Sequence, residues 1–186
     1  MQPFTALVRP PGTSFPQAIS NHPQQKEINL SIALIQHQGY VQALKRAGAK
    51  ILSLSPEDTL PDSTFVEDTA FIFGETAFLC SQKEETRRKE VGSVAKVLME
   101  YRKIVTLEPY LDGGDILNTP ESIFIGLSKR TDERAIKNLS EKIDKNIVPV
   151  PVKKGLHLKS AVSYLGNNTL LINPERIGAD EFRNFQ

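Results

Sequence analysis

Apolar positions in this chain come in short paired runs. "AFIFGETAFLC" (70–80), "DILNTPESIFIGL" (115–127) and "AVSYLGNNTLLI" (161–172) each hold two apolar runs joined by a turn-forming stretch, and each predicts a β-hairpin. After the first two hairpins the spacing changes. In 84–101, Val91, Val94, Ala95, Leu98 and Met99 recur at helical intervals among charges, which predicts an amphipathic helix. In 131–144, Ala135, Ile136, Leu139 and Ile143 do the same, with Thr131 as the expected N-cap. Strand-like runs, "KIVTL" (103–107) and "NIVPVPV" (146–152), follow the two helices, so each unit reads strand–strand–helix–strand. The N-terminal part fits the pattern loosely, with a strand "FTALV", a helix within 24–47 and a strand "KILSL".

The units are in register. Glu67, Asp112 and His157 each stand just before a hairpin, and they lie 45 residues apart. A period of this length predicts repeated supersecondary units around a common axis or stacked in line. Equivalent positions in radially arranged units converge, so Glu67, Asp112 and His157 are expected to face one another.

Length and composition narrow the function classes. The 186 residues predict one domain, 1–186, large enough to bury a core. A net charge of +1 gives no electrostatic footprint for nucleic acid. One cysteine excludes an internal disulfide framework, and with three scattered histidines it makes no familiar structural zinc site. No apolar run approaches the roughly 20 residues that span a bilayer, and the N-terminal residues do not read as a signal peptide. The expectation is a soluble cytoplasmic protein without a membrane partner.

A carboxylate beside a histidine orients the imidazole and stabilises its protonated form, so Asp112 or Glu67 is expected to support His157. Asp62, Asp68 and Asp115 add further acids nearby in sequence. Clustered carboxylates raise one another's pKa unless a cation neutralises them, and a guanidinium is planar, permanently charged and bidentate toward them. Arg87, Arg88 and Arg130 are candidates for the opposite end of an amphoteric ligand. Each residue alone has an ordinary reading: acids before strands cap turns, "TRRKE" forms a solvated face, Gly113 and Gly114 supply positive φ, and Cys80 fills a core.

Five motifs in order, "LPDSTFVEDTAF", "SQKEETRRKE", "LDGGDIL", "FIGLSKRT" and "GLHLKSAVSYLG", resemble the dimethylarginine dimethylaminohydrolases of the pentein (guanidine-modifying) superfamily. The resemblance covers residues 4 to 186. It implies an α/β propeller of ββαβ units around a pseudo-fivefold axis, incomplete at the C-terminus in this chain. It also implies hydrolysis of asymmetric dimethylarginine and monomethylarginine to citrulline plus dimethylamine or methylamine. His157 matches the catalytic histidine and Asp112 its supporting acid. Asp62, Glu67 and Asp68 match substrate-side carboxylates, with Asp68 gripping the guanidinium. Arg87 and Arg130 match the arginines that hold the α-carboxylate. Residues 12–21 match a mobile lid, with Ile19 a contact. The chemistry implied needs no metal or cofactor, and its partner is a methylated arginine.

The chain departs from that pattern in its nucleophile. The family's cysteine lies in a Gly-rich segment that has no counterpart in this sequence, and Cys80 falls inside a hairpin strand. The expectation is a C-terminally truncated dimethylargininase, inactive as these 186 residues alone, that associates as a homo-oligomer through the open units. Two alternatives stand beside it: a non-catalytic pentein that binds a guanidino ligand, and an arginine deiminase- or amidinotransferase-like activity.

Overall fold

The computed structural model describes residues 4–185. They form two compact units, the first comprising residues up to Val66 together with Gly92–Val94, the second the remainder.

In the first unit, strands β1 (Phe4–Val8) and β2 (Ala49–Ser53) pair in parallel, Phe4 opposite Ala49 and Val8 opposite Ser53. A parallel pair needs a crossover, and helix α1 (Leu30–Arg46) supplies it. Asn29 caps α1 by accepting the Ile32 N–H at 3.2 Å. The chain then leaves the helix through Gly48 at φ 89°, the left-handed residue that such helix ends favour. Arg9 is buried and donates to the Ser63 carbonyl and to Ser93 Oγ.

The second unit repeats one plan. Strands β3 (Ala70–Phe73) and β4 (Thr76–Leu79) form a hairpin, helix α2 (Glu90–Leu98) follows, and β5 (Lys103–Thr106) returns parallel to β4. Strands β6 (Ile116–Asn118) and β7 (Ser122–Leu127), helix α3 (Glu133–Ser140) and strand β8 (Asn146–Pro151) do the same in a second sheet. A third hairpin, β9 (Val162–Gly166) and β10 (Thr169–Ile172), turns through Asn167 and Asn168, both at positive φ. Left-handed central residues match a tight turn to the strands' own twist, which is why "NN" works there.

Middle strands β4 and β7 are buried on both faces, as their continuous apolar runs require. Along β7 the alternation divides the core: Ile123 and Ile125 pack with Phe71, Phe78, Leu107 and Leu139, while Phe124 packs with Leu158, Val162, Ile177 and Phe182. Cys80 belongs to the first of these clusters.

Two local expectations change. Asp132, not Thr131, caps α3, with its carboxylate accepting the Arg134 N–H at 2.8 Å. Both residues can cap, but the Thr131 hydroxyl donates instead to Asp115. Gly113 and Gly114 do not sit at positive φ. Their lack of a side chain serves close approach, described next.

Candidate active site

Three single 3-10 turns, Val66–Thr69, Gly113–Asp115 and Leu158–Ser160, precede β3, β6 and β9. They are the structural form of the 45-residue repeat, and they meet. A Cβ on Gly113 would stand 2.1 Å from the Glu67 carbonyl oxygen, and one on Gly114 would stand 2.8 Å from Asp68 Oδ1 and 2.9 Å from the His157 ring. Only glycine lets the three turns approach so closely.

The period alone points to Glu67 as the inward acid, and here the side chains differ by one residue. Glu67 is exposed and accepts a 2.6 Å hydrogen bond from Lys159. Asp68 turns inward: Asp68, Asp112 and His157 each bring one polar atom within 4.8 Å of the others, and all three are buried. Neighbouring residues of a 3-10 turn point about 120° apart, so only one of an adjacent pair faces in.

His157 heads its turn in an extended conformation, held by a 2.6 Å bond from the Ser160 hydroxyl to the His157 carbonyl. Nδ1 lies 3.7 Å from Asp115 Oδ2 and 3.9 Å from Asp112 Oδ1. Neither distance is a formed hydrogen bond. Both ring nitrogens and Asp112 Oδ2 are buried without a hydrogen-bond partner among the described residues. Orphaned polar atoms in an interior carry a desolvation cost, which a polar ligand in contact with them removes.

Electrostatics links the pair. Burial, and then the charge of Asp68, push the Asp112 carboxyl up to about 7, against the pull of His157 and the Gly114 N–H. Burial lowers the His157 pKa, but Asp115, Asp112 and Asp68 outweigh it and the net direction is up. Each group's charge therefore acts on the other: His157 pulls the Asp112 carboxyl down, and Asp112 helps to hold the His157 imidazole protonated.

Arg87 occupies the far side of Asp68. The residue is 2% exposed, with Nη1 3.0 Å from Asp68 Oδ2 and Nη2 3.0 Å from Glu90 Oε2. Burial disfavours its charge, yet the hydrogen bonds and charges of Glu90 and Asp68 raise its pKa. This guanidinium is bound to carboxylates, where the sequence resemblance implies contact with a carboxylate of the substrate. Arg130 differs: it is buried, Glu84 lies 4.0 Å from Nη2, and Nη1 has no hydrogen-bond partner among the described residues. Of the two arginines, Arg130 carries a donor available for an anion.

Asp62 lies in the first unit, where both its oxygens accept the Ile19 N–H at 3.1 and 3.2 Å. The segment expected as a lid is tied at several points, since Thr13 N–H also donates to Asp58 and Gln25 donates to the Ala18 carbonyl. Asp68, Asp112 and His157 could each offer an atom to a small cation. Asp68 already spends Oδ2 on Arg87, and the remaining arrangement suits a flat organic cation beside a base. A cleft nearby, about 560 Å³, is lined by Glu67, Gly113, Lys159 and Tyr164 rather than by the buried cluster.

Cys80 is 1% exposed, and burial followed by the charge of Asp112 pushes its thiol well up. A thiol so placed does not form the thiolate that nucleophilic attack needs. Sequence reasoning passed over Glu90 and gave Asp115 no particular role. The first is hidden in a charged run. The second is the last residue of "DGGD", and its partners Ser128 and Thr131 stand in the "SKRT" motif.

Comparisons with known proteins agree with this geometry. Residues 7–185 match a family model described as "N,N dimethylarginine dimethylhydrolase, eukaryotic". The N(G),N(G)-dimethylarginine dimethylaminohydrolase of Streptomyces coelicolor is 35% identical over 172 residues, 89% of this chain and 67% of the relative. That of Pseudomonas aeruginosa is 30% identical over 160 residues, 82% of this chain and 63% of the relative. The chain thus spans about two thirds or less of the length of these curated relatives. A crystal structure of the P. aeruginosa enzyme, a cysteine-to-serine mutant complexed with citrulline, superimposes with a TM-score of 0.90 at 29% identity, covering 96% of this chain and 72% of that one. The α/β fold is the pentein-type fold of these enzymes. Matched over nearly its whole length by the family model and by relatives of that name, the chain belongs to the dimethylarginine dimethylaminohydrolase family.

Proposed function

We propose that this site binds the guanidino group of an N-methylated arginine and serves its hydrolysis to citrulline and methylamine or dimethylamine. The observation that carries the reading is the buried cluster of Asp68, Asp112 and His157. It holds carboxylates and an imidazole with unfilled hydrogen-bonding positions, in a chain of this family. Asp68, fixed from behind by Arg87, accepts the guanidinium N–H groups. Arg130 takes the α-carboxylate through Nη1. In the reaction a thiolate attacks the guanidinium carbon, the C–N bond to the methylated nitrogen breaks, and His157 delivers the proton with which the amine leaves. His157 then takes a proton from water as it attacks, the C–S bond breaks, and citrulline departs.

Cys80 does not supply that thiolate, because it is a core residue with a raised pKa. We therefore assign the nucleophile to a cysteine outside these 186 residues, and the 186 residues alone bind without turnover. Colorimetric citrulline detection with purified protein and N(G),N(G)-dimethylarginine tests this. No citrulline is expected from the 186-residue protein, with saturable binding retained. Citrulline production that disappears in both Cys80→Ser and His157→Ala would show Cys80 to be the nucleophile and overturn this assignment.

A further inference from the structure

His157 has two carboxylates at nearly equal distance, and their surroundings are unlike. Asp112 accepts one hydrogen bond, from the Gly114 N–H at 3.0 Å, and leaves Oδ2 buried without a partner. Asp115 is 0% exposed and accepts three: the Leu158 N–H at 2.9 Å on Oδ1, and the hydroxyls of Ser128 at 2.5 Å and Thr131 at 2.7 Å on Oδ2. These donors come from two segments besides its own turn, the β7–α3 loop and the residue that follows His157. Gly126 on β7 makes room for it, since a Cβ there would stand 2.5 Å from Asp115 Oδ1. A side chain pinned by three donors has one position, and a carboxylate with a free oxygen has several.

We propose that Asp115 is the positioning residue for His157. It fixes the main chain at Leu158 and presents Oδ2 to Nδ1, so that Nε2 is left to face the reacting atoms. This rests on the reading of His157 as the acid and base of the site. Asp112, whose carboxyl is raised to about 7, is left as the group that exchanges a proton with His157. A second consequence follows from Ser128: its hydroxyl also accepts the Arg130 N–H at 3.0 Å, so the strap that holds Asp115 also holds the arginine assigned to the α-carboxylate. The acid facing the imidazole from the neighbouring Val66–Thr69 turn is Asp68, backed by Arg87. On the imidazole's own turn, Lys159 is engaged by Glu67.

The test is ¹⁵N NMR titration of His157 in the 186-residue protein, with His22 and His37 as internal references, comparing wild type with Asp115→Asn and Asp112→Asn. Loss of the pinned carboxylate is expected to lower the His157 pKa by about one unit or more and to abolish the preference for the Nδ1–H tautomer. Asp112→Asn is expected to move the pKa less and to keep the tautomer. A merely structural Asp115 would cost stability and leave both signatures as in wild type, which would overturn the proposal. So would a larger effect from Asp112→Asn. If Asp115→Asn does not fold, Thr131→Val keeps the carboxylate and removes one of its ties. There the His157 tautomer signal is expected to weaken with the rest of the spectrum unchanged, and an unaltered signal would count against the assignment. No substrate enters this measurement, so failure of methylarginine binding is read separately.

Discussion

Replacing Arg87 by methionine removes the cation from the second unit's buried network while keeping most of the side chain's volume. In the native structure its guanidinium reaches Asp68 and Glu90 at 3.0 Å each, and Nε lies 3.2 Å from both Glu90 oxygens. The Arg87 and Glu90 side chains are 3% and 1% exposed, so water cannot take over the solvation of the acids. Removing one partner of a buried ion pair costs about 3–5 kcal/mol, because the charge left behind stays desolvated. At a urea slope of about 2 kcal/mol per molar, that lowers the unfolding midpoint by about 1.5–2.5 M. Cys80 provides the probe: it is the chain's only cysteine, it lies in the core of the same unit, and thiol labelling reports its exposure as urea rises. The deficit is expected to shrink as the pH is lowered, since the stranded acids then bind protons and lose their charge. Arg183→Met, which breaks an exposed pair with Asp180, is the control and should leave the midpoint in place. A midpoint for Arg87→Met within error of that control would refute the reasoning.

The raised Asp112 carboxyl and the raised His157 imidazole mean that the folded state holds more protons than the unfolded state. The Asp112 contribution is present at low pH and is lost as pH rises from about 4 to about 7, whereas that of His157 is lost only above its ordinary value of 6.5, as pH rises through its raised pKa. Asp112→Asn should therefore gain stability relative to wild type between about pH 4 and 7 and hold that gain above it, as read from midpoints across that range. Gly114→Ala places a methyl group 2.8 Å from Asp68 Oδ1 and 2.9 Å from the His157 ring. It should weaken dimethylarginine binding about tenfold or more, measured by calorimetry, with the secondary structure retained. An unchanged dissociation constant would mean that the contact between turns does not set the site.

Hairpins, helices and the 45-residue period were legible because each rests on a local rule that the core then reinforces. The run "IFIGL" carries no polar side chain since β7 is covered on both faces, and "GNNT" turns because two asparagines accept left-handed backbone. The period brought the three turns together but could not say which of Glu67 and Asp68 faces inward. That choice depends on side-chain direction within one turn of helix, which residue spacing does not carry. Thr131 and Asp132 were ambiguous for a related reason, since both suit a cap until Asp115 claims the Thr131 hydroxyl. "DGGD" looked like a turn that needs positive φ; its glycines serve contacts with the equivalent turns one repeat before and one repeat after, visible only once the chain is folded. The embrace of Arg87 by Asp68 was equally hidden, because "TRRKE" has the composition of a solvated surface.

The central claim is that Asp68, Asp112 and His157 together receive a guanidinium. Its most direct test is NMR titration of the 186-residue protein with N(G),N(G)-dimethylarginine, following His157. Saturable shifts of the His157 ring signals are expected, weakened roughly 10- to 100-fold by Asp68→Asn through loss of a charge-assisted hydrogen bond. Shifts that survive Asp68→Asn undiminished, or a His157 signal that stays still while ligand binds elsewhere, would contradict it.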